Sequence, residues 1–256
     1  MTVQVSDPSA FVLANAPALG VPFESERLTI TLDDREVAVR ELAEDPLTRL
    51  RLFEATQGVV TIDYAAAVLG RAELVAVNST EAIVYLRPSR YVQSDTLTPF
   101  ARDTFAHRDA ARLVREVSAW VHDHLEYTAD ATTPTGGAVE TLAARAGVCR
   151  DYAHLTTALL RALDVPARLV SVYAPQLDPM DFHAVVEALV DGRWVVVDST
   201  RLAPRAAMVR MATGRDATDT AWLTNTLSDV ELLTLFVDAT ADESFDDDPD
   251  ELVALG

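Results

Sequence analysis

The segment DFHAVVEALVDGRWVVVDST, residues 181–200, restricts the fold of this chain more than any other stretch. Asp191-Gly192 is a two-residue turn signal, because both central positions of a type I′ turn need positive φ. Apolar runs flank it on either side, so it predicts an antiparallel hairpin. With those two residues as the loop, 190 faces 193, 185 faces 198 and 183 faces 200. His183 and Asp198 then lie on one sheet face as diagonal neighbours, roughly 7–8 Å apart at the backbone and within reach of converging side chains. Glu187 falls on the same face and is a rival carboxylate. Asp198 has the better position, across from the His183 end of the ladder and just before the polar exit Ser199-Thr200.

Around that hairpin the hydrophobic period changes. LTITL (28–32), EVAVRELA (37–44), RLRLFEA (49–55), VVTIDYAAAV (59–68) and EAIVYL (81–86) alternate apolar with polar residues, the period of strands. They predict a β-rich N-terminal domain over 1–95. Helical spacing then takes over, with Thr98-Pro99 reading as a cap and first-turn pair. Ala111, Val114, Val117, Trp120, Val121 and Leu125 form one apolar stripe. GAVETLAARAG reads as a short helix ended by Gly147. CRDYAHLTTALLRALD follows, with Tyr152, Leu155, Leu159 and Leu163 as its buried face and Pro166 as its stop. Strands return at ARLVSVYA (167–174), in the hairpin, and at LLTLFVDA (232–239). A second domain is expected over 96–240. The acidic stretch 241–256 is expected to be a solvated, mobile end.

Composition narrows the function. The net charge of −19 argues against a nucleic-acid partner, since phosphates would be repelled. No apolar run approaches a membrane span, and MTVQVSDPSAFVLANAPALG has no basic leader region, so no membrane association is expected. One cysteine permits no internal disulfide, and a cytoplasmic location is the expectation. The chain contains no lysine, which excludes internal Gln–Lys cross-links.

That one cysteine, Cys149, stands in GVCRDYAHL at the first turn of a helix. Unpaired N–H groups and the positive end of the helix dipole there stabilise a thiolate, and the same N–H groups can donate to an oxyanion. A nucleophilic cysteine needs a base, and the base needs orienting. The hairpin offers both.

The other polar candidates have plainer readings. His154 reads as a structural histidine bonded to a neighbouring strand. His122 and His124 stand two apart on a helix and diverge, so they cannot share a metal. Cys149, His154 and His183 fall short of the four close ligands of structural zinc, and no metal or cofactor is expected. Arg150 and Asp151 either line the cleft beside the thiolate or form a charged pair that only caps the helix start, and Trp120 and Trp222 read as core rather than substrate platforms.

GVCRDYAHLTTALLRALDVPARLVSVY, followed by HAVVEALVDGRWVVVDST, resembles the transglutaminase-like superfamily, which has a papain-like fold. RPSRYVQSD (87–95), WVHDHLEY and GRDATD (214–219) are similar to its bacterial members. The likeness runs over roughly 85–240. It implies Cys149 as nucleophile, His183 as base and Asp198 as the carboxylate that orients it. Val185 stands where many relatives have an aromatic residue, and Ser199 where many have proline; both departures bear on the shape of the substrate groove.

The fold expected is therefore α+β: a papain-like transglutaminase core, its cysteine helix packed on an antiparallel sheet carrying His183 and Asp198, with a β-rich N-terminal domain. The function expected is acyl transfer or hydrolysis at a peptide or protein amide through a thioester. The alternative is a peptide- or protein-binding module that keeps the fold without turnover.

Overall fold

The computed structural model describes residues 1–255 except 46, 75, 107, 227 and 228, with the backbone alone at 43–45. The chain opens with seven strands: β1 (Thr2–Val5), β2 (Ser9–Leu13), β3 (Phe23–Leu32), β4 (Arg35–Glu36), β5 (Arg40–Asp45), β6 (Thr48–Ala55) and β7 (Gly58–Val68). They divide between two sheets whose inward residues, Val3, Val5, Ile30, Val60 and Ile62 from one and Phe11, Leu13 and Phe53 from the other, form a shared core. Phe11 and Phe53 stack with ring centroids 4.8 Å apart.

Helices follow: α1 (Ser79–Val84), α2 (Ser94–Thr104) and α3 (Ala110–His124). The stretch EAIVYL is thus helix for most of its length, not strand. The Asn78 side chain accepts from the Thr80 N–H at 2.8 Å and Glu81 reaches back to the Asn78 N–H, a capping box that overrides a short alternation. Pro99 lies inside α2 rather than at its start, and burial of Leu97 and Ala101 holds the helix together around it. Next come β8 (Glu126–Tyr127), α4 (Ala138–Ala144), β9 (Ala146–Gly147) and α5 (Cys149–Ala162). Arg145, in the left-handed region at φ 52°, ends α4 two residues before Gly147.

Helix α5 is buried all round from Asp151 to Ala162, not on one face. Two of its polar residues are bonded inside: Arg161 donates to the carbonyls of Ala167, Arg87 and Arg215, and Thr156 bonds Ser199, while Thr157 Oγ1 and His154 Nδ1 are buried without a partner. Against it lies a sheet of β10 (Ala167–Tyr173), β11 (His183–Val190), β12 (Arg193–Val197) and β13 (Val209–Gly214), in the order β12-β11-β10-β13. Val190 pairs with Arg193 and Val186 with Val197, the register the Asp-Gly turn predicts. Both faces of this sheet are covered. Val186, Ala188, Val195 and Val197 pack toward α5, while Val170, Val185 and Val196 pack on the far side with Met208 and Leu255. Double burial explains why these strands read as nearly continuous valine.

After α6 (Ala217–Thr220), β14 (Leu223–Thr226) and β15 (Val230–Thr234) rejoin the N-terminal sheets. β14 pairs with β2, and β15 with β1. The division at 95/96 and 240 therefore needs correction: the β-rich unit draws its outer strands from both ends of the chain, and the helical core is inserted between them. Local alternation cannot reveal a partner more than 200 residues away.

The acidic stretch is not a free end either. Arg205 binds the Asp247 carboxylate at 2.9 Å, the Val196 N–H donates to the Val253 carbonyl at 2.7 Å, and Leu255 is buried. Its apolar residues Leu252, Val253 and Leu255 reach the core, and a buried arginine neutralises part of its charge. Gly256 lies outside the described residues.

Candidate active site

Cys149 is the first residue of α5, its side chain half-buried. Two features hold that helix start. The Val148 N–H donates to Asp151 Oδ2 at 3.0 Å, and Arg150 donates to Thr132 Oγ1 at 2.8 Å and to the Thr133 carbonyl at 2.7 Å. Arg150 and Asp151 thus cap the helix and anchor the preceding loop. Gly147 has a steric reason: a Cβ there would lie 2.6 Å from the Asp151 Cβ.

His183 begins β11 and is 2% exposed. Its Nε2 lies 2.9 Å from Asp198 Oδ2. The other Asp198 oxygen accepts from the Thr200 N–H at 2.9 Å and from Thr200 Oγ1 at 2.7 Å. Burial alone would lower the His183 pKa, but the Asp198 carboxylate and the nearby Cys149 sulfur outweigh it and push it up to about 10. Burial works in the opposite direction on Asp198, raising its carboxyl, yet His183 and Thr200 hold it below the usual carboxylate range. An ionised Asp198 makes Nε2 the protonated nitrogen. Nδ1 is buried with no nitrogen or oxygen partner. At neutral pH it carries the second proton of the ring, on which the Cys149 sulfur acts by charge and hydrogen bonding. Cys149 Sγ also lies 4.0 Å from the Phe182 carbonyl.

Cys149, His183 and Asp198 thus meet in one place. Glu187 does not join them: it binds Arg210 at 2.6 Å and Arg168 at 2.8 Å deep in the sheet. The guanidinium of Arg168 lies 4.1 Å from the centroid of Trp194, and 3.5 Å from Glu81. His154 accepts from the Ala217 N–H through Nε2 at 3.1 Å and stacks on Tyr91. Burial depresses its pKa to about 4 despite Asp216, so it is neutral. His122 Nδ1 bonds the Ser199 carbonyl and His124 Nδ1 the Trp120 carbonyl, so the two diverge. Among the described residues, no three His, Cys, Asp or Glu side chains converge to hold a metal ion, and no helix is long and apolar enough to cross a membrane.

Two expectations change here. Trp120 packs against the core, but Trp222 is half-buried outside it and stacks on Phe182 at 5.4 Å. Val185 is buried in the far-side core and Ser199 is bonded to Thr156, so neither departure from the family pattern shapes an open groove. Three neighbours of the site escape a reading from sequence. Thr200 had a signal, since Asp-x-Thr can close an Asx turn on its own backbone. Phe182 and Tyr127 had none. Pairing of β8 with β9 sets Tyr127 opposite Gly147, and the Tyr127 hydroxyl comes under the influence of both the thiol and the backbone N–H of Cys149. Burial, then the Cys149 charge, raise its pKa.

Residues 99–199 match the core of the transglutaminase-like superfamily. The crystal structure of a candidate cysteine protease from Cytophaga hutchinsonii is similar with a TM-score of 0.79 and 31% identity, over 95% of this chain and 91% of that one. A Mycobacterium leprae protein is 27% identical over 145 residues, 53% of this chain and 52% of that protein. A Mycobacterium tuberculosis protein is 32% identical over 96 residues, 37% of this chain and 30% of that protein. The match thus spans about half the length of the first mycobacterial relative and less of the second.

Proposed function

Because the chain belongs to the transglutaminase-like superfamily, we propose that it attacks the carbonyl carbon of a peptide or protein amide with Cys149 and resolves the product with water. The observation that carries this reading is the state of His183: Nε2 bonded to Asp198 at 2.9 Å, Nδ1 buried with no nitrogen or oxygen partner, and the ring under the charge and hydrogen bonding of the half-buried Cys149 sulfur. A ring so held has one nitrogen fixed on Asp198 and one that holds a proton ready for the leaving nitrogen.

With the His183 pKa raised to about 10, Nδ1 already holds the proton shared with the sulfur at neutral pH; as the sulfur forms the C–S bond, the carbonyl oxygen becomes an oxyanion beside that imidazolium. The N–H groups of the first turn of α5 can donate to that oxyanion. Asp198 supports the imidazolium. Collapse breaks the C–N bond, Nδ1 returns its proton to the leaving nitrogen, and a thioester remains. Water then attacks the thioester, giving a proton to Nδ1; the C–S bond breaks, the acid leaves, and the sulfur again stands beside the imidazolium that began the cycle. Atoms and charge balance over the two halves.

The test is a library of peptide amides and anilides assayed with the wild-type protein and with Cys149→Ser. Turnover lost in the variant supports the reading, and primary amine added to the assay separates hydrolysis from transfer. A wild-type protein that turns over no amide and whose thiol is no more reactive than free cysteine at pH 6 is a binding module, and the reading fails.

A further inference from the structure

A cleft of about 430 Å³ opens between the β-rich unit and the helical core, within the ~300–1,000 Å³ of sites that bury small ligands, and Phe182 is the residue that links its lining to the thiol. Its floor is the end of β7. Alternate residues of a strand share a face, and here Val60 and Ile62 on that face are buried in the sandwich. Tyr64, Ala66 and Val68 continue the face past the core and line the cleft. Ala66 is exposed and fills little of the trough. The Tyr64 ring is fixed, with its hydroxyl donating to Glu26 at 2.9 Å and the Arg51 guanidinium 5.3 Å from its centroid.

The opposite wall belongs to the core. Tyr173 donates across to the Asn15 carbonyl at 2.7 Å, and Phe182 lies against Tyr173 with ring centroids 5.8 Å apart. Phe182 joins cleft to thiol: its side chain lines the one and its carbonyl faces Cys149 Sγ. Phe236, 82% exposed, stands at the lip, with Leu232 and Leu233 also exposed nearby in sequence. Among the described residues, Asp238 is the one charged side chain in the lining.

We propose that this cleft is a substrate subsite that takes an aromatic or large aliphatic side chain of an extended peptide next to the amide Cys149 attacks. The inference rests on the acyl-transfer reading for its link to turnover. Aromatic walls, a floor left open by alanine and the continuity through Phe182 favour a bulky uncharged side chain. Asp238 disfavours an acidic one.

The test compares peptide amides that differ only in one side chain beside the scissile bond: Phe, Leu, Ser or Glu. The expected wild-type order is Phe and Leu above Ser by at least about tenfold in kcat/KM, with Glu lowest. Ala66→Trp, at an exposed position, should erase that preference by filling the trough, and Phe236→Ser should reduce it. Alkylation of Cys149 by iodoacetamide should be unchanged in both variants. Anisotropy of dye-labelled Phe and Ser peptides on Cys149→Ser should give the same order without turnover, so an enzyme that cleaves none of the amides refutes the acyl-transfer reading while the cleft is still judged by binding. Equal binding of Phe and Ser peptides overturns the inference. So does a dimer that Ala66→Trp dissociates, because a second copy would then be the occupant.

Discussion

The start of β11 and the middle of α5 each bury a histidine completely and hold it in opposite charge states. His183 is raised to about 10; His154 is lowered to about 4. Burial pushes both the same way, toward the neutral ring. The difference lies in contact. Asp198 touches His183 at 2.9 Å with its second oxygen occupied by Thr200, so its charge is aimed at the ring. Asp216, the carboxylate nearest in influence to His154, spends its oxygens on the Tyr91 and Thr218 N–H groups, while His154 itself accepts from a backbone donor. One region keeps an imidazole able to carry a proton; the other uses an imidazole as a fixed acceptor.

The largest way to break this contrast is Asp198→Asn. It removes the charge that supports His183 and favours the wrong tautomer, so turnover of any amide substrate should fall by about 10³–10⁴-fold with KM little changed. A loss under tenfold would remove Asp198 from the mechanism.

Glu187→Gln strikes the carboxylate on β11, the strand that carries His183, and should do the reverse. It strands Arg168 and Arg210 in the sheet, and losing a buried ionic partner costs about 3–5 kcal/mol of stability. Denaturant titration should detect that loss, while turnover per folded molecule stays near wild type. If Glu187→Gln instead abolishes turnover in a stable fold, the two carboxylates have been assigned the wrong way round.

The pH dependence of stability should carry both histidines with opposite slopes. His154 binds its proton more weakly when folded, so its contribution is full above about pH 6.5 and lost as pH falls toward 4, about 3 kcal/mol in all. His183 binds its proton more tightly when folded, so its contribution is full below about pH 6.5 and lost as pH rises through about 10. Denaturant midpoints from pH 4 to 10 should show His154→Gln flattening the acid limb only. An unchanged acid limb would mean that His154 is protonated in the fold.

The smallest effect expected is that of Thr200→Val. It deletes one hydroxyl bond to Asp198 and leaves the backbone bond, so kcat should drop on the order of tenfold and the pH profile should shift with it. A change in stability with an unmoved pH profile would make Thr200 merely structural.

How much of this was legible follows from the range of each signal. The Asp191-Gly192 turn fixes a local register, and the observed ladder from Val190–Arg193 to Val186–Val197 has the spacing it predicts. The helix start at Cys149 is likewise local. Alternation misread EAIVYL because Asn78 and Glu81 are spaced for a capping box, whose hydrogen bonds outweigh six residues of pattern. Periodicity also gave α5 one buried face. Thr156, Thr157, His154 and Arg161 count as polar by type but are buried in the fold. The outer strands β14 and β15 escape altogether, since nothing near Thr2 marks Thr234 as its partner.

That last pairing has a consequence for synthesis. Until residues 223–234 leave the ribosome, β1 and β2 are the outermost strands of their sheets, each with a row of unpaired N–H and C=O groups. By then the inserted core, 79–220, has already emerged. The first segment made is thus the last to be closed, and a nascent chain halted before 223 carries two open edges that invite pairing with other chains.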